Sequence, residues 1–184
     1  MTPTDVIADE RTDLLTALHQ ARRLLRYPTR NLTDEQAAQR TTVSELCLGG
    51  LIKHVTYAEN LWADFIPNGP GKRQSLEDFT EEDFAAFANG FRMMPGETLA
   101  GLLEAYDTAC RQTDEAILAA PDLNATWPLP QVPWFPKDAA WSIRRVILHL
   151  AAETTQHAGH ADILREALDG ARSMADPADH VGYL

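Results

Sequence analysis

Apolar residues recur at three- and four-residue spacing through four long stretches of this 184-residue chain, and no convincing alternating run is bounded by hairpin turn signals. That pattern predicts an all-α fold. Thr4 can cap a first helix carrying Val6, Leu14, Leu15, Leu18 and Leu25, which ends near Tyr27 because Pro28 disfavours helical geometry in the residue before it. A helical turn over residues 33–39 follows. Ser44 is then expected to cap a second helix, SELCLGGLIKHVTYAENLWADFI, that stops before Pro67. The acidic segment over 72–95, with its short pattern TEEDFAAFA, suits one or two helical turns inside a long crossover. A third helix over about 96–120 has Leu99, Leu102, Leu103, Tyr106, Cys110 and Ile117 as its apolar face. The fourth, SIRRVILHLAAETTQHAGHADILREALDG, is capped by Ser142 and closed by Gly170. Together these describe a four-helix bundle with a long crossover between helices two and three, one domain over 1–184 with a polar tail over 171–184.

Charge and cysteine usage narrow the function classes. Sixteen Lys and Arg against twenty-seven Asp and Glu leave a net charge of −11, which disfavours phosphate backbones and anionic lipid, so neither nucleic acid nor a membrane surface is an expected partner. The first residues lack a basic stretch followed by an apolar one, and no apolar run reaches eighteen residues, so the expectation is a soluble, cytoplasmic protein. Cys47 and Cys110 are too few for a disulfide framework and read as reduced, buried, small hydrophobes. The segment PDLNATWPLPQVPWFPKDAAW has five prolines, which forbid a regular helix, and three tryptophans, too much apolar surface to leave wholly in water. It is either a loop strapped over the bundle or, with the crossover, the lining of a site's mouth.

The fourth helix carries the chemistry. Its apolar stripe runs Ile143, Val146, Leu150 and resumes at Leu164 and Leu168; between them the same spacing passes through Glu153, His157 and His160. A carboxylate and imidazoles buried without partners would cost several kcal/mol, so something must satisfy them. Residues at i and i+4 share a face and can converge on one divalent ion, although Glu153 with His157 could also be a simple hydrogen-bonded or ion pair. His54 interrupts a second apolar stripe, Cys47, Leu51, Ala58, Leu61, Phe65, and offers a third ligand from the facing helix. Two histidines and a carboxylate suit zinc, with nickel or iron as alternatives, and three protein ligands leave an open coordination position. His149 is an alternative ligand or an outer partner, and His160 could orient a ligand or handle protons; both are catalytic candidates. Arg144, Arg145 and Arg165 are candidates for gripping an anionic substrate or cofactor, against the alternative of solvated surface charges. His19 and His180 have no such setting and read as surface residues.

The strings TTVSELCLGGLIKHVTYAENLW and WSIRRVILHLAAETTQHAGHADILREALDG resemble the DinB superfamily, in particular an actinobacterial branch of it. The resemblance implies a DinB-like bundle with a metal held by one side chain on the second helix and two at i, i+4 on the last. By position those are His54, Glu153 and His157, a His, Glu, His set similar to that of the mycothiol-dependent maleylpyruvate isomerases. Many members have glutamine where this chain has His160. The resemblance further implies thiol transfer or thiol-dependent isomerisation of a small electrophilic substrate, with mycothiol or another low-molecular-weight thiol as co-substrate. Relatives are monomers and homodimers. Metal-assisted hydrolysis and a non-catalytic, stress-related metal-binding role are the alternatives.

Overall fold

The computed structural model describes residues 9–71 and 75–173 and is largely helical. Helix α1 spans Glu10–Arg26, α2 Asp34–Ala38, α3 Leu48–Asn68, α4 Glu81–Ala88, α5 Leu99–Ala119 and α6 Ile143–Asp169. The four long helices, α1, α3, α5 and α6, form the bundle: α1 lies along α6, α3 along α5, and α3 also packs on α6. Among the described residues no helix is long and apolar enough to cross a membrane.

Most ends follow the expected local chemistry. Thr33 and Thr80 cap α2 and α4, each with a reciprocal capping box, and Ser142 accepts from Arg145 N–H to open α6. Gly170, at a left-handed φ of 79°, closes α6. Four details differ from the sequence reading. The second bundle helix starts at Leu48 rather than after Ser44, because Cys47 takes the cap: its Sγ accepts from Gly50 N–H at 3.3 Å. It also runs through Pro67, whose ring sits in the last turn, to Asn68. Leu61, expected on the buried stripe, is exposed, and Trp62 is buried in its place. Finally, the Trp-rich loop contains a two-stranded antiparallel ribbon, β1 Thr126–Pro128 against β2 Ala140–Ser142, with Trp127 opposite Trp141. Three-residue strands with prolines on either side are too short to show alternation. The expected contributions of Thr4 and Val6, and the tail from residue 174 onward, lie outside the described residues.

The core is two apolar clusters stacked along the bundle axis. One gathers Leu18, Trp62, Ile117, Ile147 and Leu150; the other Leu25, Leu51, Val55, Tyr106, Ala161 and Leu164. On every bundle helix a polar residue sits at the level between them: Arg22 on α1, Glu59 on α3, Thr113 on α5, and Glu153 and His157 on α6. Arg22 and Glu59 close half of this layer. The guanidinium donates Nε to Oε1 at 2.7 Å and Nη2 to Oε2 at 2.8 Å, with Glu59 fully buried, and a third donor reaches Asp114 at 2.7 Å. Such a fork-on-carboxylate pair satisfies both groups, whereas removing one partner strands the other in the core. Glu59→Ala is therefore expected to lower the unfolding free energy by about 3–5 kcal/mol, and the joint Arg22→Met, Glu59→Leu variant to recover most of it, as read by urea denaturation.

Cys110 borders this pair, and burial, reinforced by the Glu59 carboxylate, pushes its thiol up to about 12. At pH 8 the thiolate fraction is then roughly one in ten thousand. Iodoacetamide at that pH is expected to leave Cys110 unmodified in the native protein and to alkylate it once the chain is unfolded, as scored by mass spectrometry.

Candidate metal centre

The other half of the polar layer faces outward between α3 and α6. Glu153 Oε1 accepts from His54 Nε2 and from His157 Nε2, each at 3.1 Å, so one carboxylate oxygen joins two imidazoles from facing helices. One ligand-type atom from each of the three residues lies within 4.8 Å of the other two. Side-chain exposures of 17% for His54, 26% for Glu153 and 10% for His157 describe a site recessed but reachable from solvent. The hydrogen bonds from His157, then from His54, hold the Glu153 carboxyl well below its ordinary range against the opposing effect of burial. A carboxylate that stays ionised, flanked by two nitrogens, is the donor chemistry that zinc and neighbouring divalent ions accept. The residues therefore fit such an ion.

A segment of the crossover completes the centre. The Phe91 ring stacks on His54 with centroids 3.9 Å apart and planes 21° from parallel. Its backbone is docked on the first turn of α3, where Cys47 Sγ donates to Phe91 O and a Cβ on Gly50 would meet that oxygen at 2.0 Å. Only a residue without a side chain tolerates this approach. Sequence reasoning missed Phe91, and the signal available was the pair Gly49–Gly50 at a helix start, where two glycines are costly unless another backbone comes close.

The remaining candidates separate. His160 Nδ1 lies 3.3 Å from His157 Nδ1, one donating and the other accepting, so it sits behind a ligand rather than beside the opening. His149, one turn before Glu153, is packed edge-on against Trp62 and Trp141 at 5.2 and 5.0 Å, and burial lowers its tendency to protonate. Arg145 is exposed, with its guanidinium 5.1 Å above the Trp141 ring. Arg165, expected near substrate or cofactor, is instead buried at the end of α1: Nη1 donates to Pro28 O at 2.7 Å and Arg30 O at 2.6 Å, and Nε to Asp169 at 2.9 Å. Those bonds make it a tie between α6 and the α1 terminus, a correction to the sequence reading. Arg144 is bound to Glu10 and Asn124, and His19 pairs with Asp114 near the surface.

A helical bundle with an open set of two imidazoles and one carboxylate on facing helices defines the class as DinB-like. The chain matches the family model described as mycothiol-S-transferase over residues 13–170 and belongs to that family, a part of the DinB-like superfamily. Membership implies a mycothiol-related transferase with a small-molecule substrate. Comparison with curated proteins and with solved structures gives no match.

Gly50→Ala is expected to force Phe91 off its seat and to destabilise the fold by about 2–3 kcal/mol, a drop of roughly 4–12 °C in Tm for a chain of this size. Differential scanning fluorimetry beside Gly101→Ala checks this, because Gly101 lies in a helix where an added Cβ meets nothing closer than 3.1 Å.

Proposed function

We propose that the protein is a metal-dependent thiol S-transferase, in which His54, Glu153 and His157 hold one divalent ion, zinc first and nickel or iron as alternatives, and mycothiol or a similar thiol is the sulfur donor. The observation that carries this reading is the convergence of three ligand-type atoms within 4.8 Å from two facing helices, in a member of the mycothiol-S-transferase family. An ion held by these three groups would keep a free position and would supply the positive charge that makes a thiol acidic at neutral pH. Every other part of the chemistry falls to this chain's residues.

Glu153 and the two Nε2 atoms supply the ligand set, and their present N–H···O contacts mean that both imidazoles must turn their lone pairs inward to bind. For His157 the proton then resides on Nδ1, where His160 Nδ1 stands ready to accept it. His160 is thus a positioning residue that fixes tautomer and ring orientation. Phe91 does the same for the His54 ring by stacking, and it shields that flank from water. His149, one turn before Glu153 on α6 and made less prone to protonate by burial, is the base we assign to the thiol proton. In the transfer, sulfur forms a bond to the electrophilic carbon, the leaving group departs with its electron pair, and the proton passes through His149 to solvent. Thiol-dependent isomerisation would begin with the same attack and end by expelling the thiol.

Elemental mass spectrometry is expected to find about one equivalent of divalent metal per wild-type chain, and less than about a tenth of that in His54→Ala, Glu153→Ala and His157→Ala. His160→Ala is expected to keep its metal while losing about tenfold or more in the rate of mycothiol conjugation to chlorodinitrobenzene. Full metal content in the ligand variants contradicts the site. Substrate turnover indifferent to added thiol would contradict transfer and favour hydrolysis.

A further inference from the structure

From the triad, α6 runs back toward the Trp-rich loop. Arg145, His149 and Glu153 follow one another at i, i+4 and i+8, so they share an inclined ridge of the helix that leads from the triad to β2. The floor beside this ridge is aromatic. Trp141 stacks on the buried Trp62 with centroids 5.1 Å apart and planes 12° from parallel, and Phe135 meets Trp141 edge-on at 5.5 Å. Next to Phe135, at 6.5 Å, Trp134 leaves 62% of its surface in water. An indole this exposed, continuous with a packed aromatic cluster, is apolar area available to a ligand.

The arginines of α6 differ in what their guanidinium donors do. Arg144 is bound to Glu10 and Asn124, and Arg165 to two backbone carbonyls and Asp169. Among the described residues Arg145 has no carboxylate or carbonyl partner for its guanidinium, which lies 5.1 Å above the Trp141 ring. Stacking of this kind restrains the planar fork and leaves its edge donors pointing outward. On a chain of net charge −11, an exposed guanidinium about two helical turns from Glu153, with no carboxylate partner among the described residues, is a local reversal of the field.

We propose that Arg145 with Trp134, Phe135 and Trp141 forms the acceptor subsite, which selects a flat, apolar electrophile bearing a carboxylate. The apolar body rests on the exposed Trp134 beside Phe135, and the carboxylate pairs with the Arg145 guanidinium that Trp141 seats. This inference rests on the thiol-transfer reading of the same centre, and Arg145 acts by binding rather than by touching the reacting atoms.

Two probes separate charge from shape: chlorodinitrobenzoate and its uncharged amide, chlorodinitrobenzamide. In both, sulfur displaces chloride, which leaves with its electron pair. The wild-type holoenzyme with mycothiol is expected to show a KM about tenfold lower for the acid than for the amide, a ratio that collapses toward one in Arg145→Met and is partly restored in Arg145→Lys. Calorimetric titration of the full chain with the unreactive dinitrobenzoate and dinitrobenzamide, without thiol, is expected to give the same ordering of Kd. An acid-to-amide ratio near one in the wild type, or one unchanged in Arg145→Met, overturns the subsite. Absence of turnover with both probes contradicts the transferase reading, and the calorimetric preference then decides on the subsite by itself.

Discussion

The structure turns on one carboxylate oxygen. Glu153 Oε1 lies at hydrogen-bond distance from an imidazole on its own helix and from another on the facing one, so α6 and α3 are joined through a group that an apolar bundle would otherwise expel. The His54 contact crosses between the helices, and the His157 contact lies within α6. The same contacts hold both Nε2 atoms toward a common point at the Glu153 carboxylate. Phe91 and His160 then act on the imidazoles from opposite sides, by stacking on His54 and by bonding to His157.

This centre is one half of a polar layer between two apolar clusters, and the two halves are resolved differently. Around Arg22, the cation forks onto Glu59, with Asp114 and His19 extending the chain of contacts to the surface. There the chain supplies its own cation, and the group has a mechanical task. Around Glu153 the hydrogen-bond partners among the described residues are imidazoles. An arrangement of acid and neutral bases with an opening to solvent has capacity left for an external cation, whereas the Arg22 side has none. In the reading we propose, the two halves differ in the cation: supplied by the chain around Arg22, supplied from outside around Glu153.

Much of this was legible in the sequence. Glu153 and His157 stand on a stripe that is otherwise aliphatic, and His54 breaks the stripe on the second helix, so three polar residues pointing inward follow from periodicity alone. The cap at Ser142 and the close at Gly170 follow from local chemistry that acts over a few residues. What escaped depends on contacts distant in sequence. Cys47 displaces Ser44 as the cap because its sulfur also meets Phe91, some forty residues away. Trp62 displaces Leu61 from the interior because Trp141 and Phe135 complete its pocket, and those lie on a loop with no periodicity to read. Arg165 looks like any exposed helical arginine in sequence, and only the fold brings the Pro28 and Arg30 carbonyls to its donors.

The central claim is that the atoms now meeting at Glu153 are ligands of one divalent ion. Zinc anomalous scattering from crystals of the full chain grown with zinc tests it most directly. The account predicts a single strong peak within about 2.0–2.2 Å of His54 Nε2, His157 Nε2 and a Glu153 carboxylate oxygen. A peak at another set of residues, or none while Glu153 still receives hydrogen bonds from both imidazoles, would contradict it.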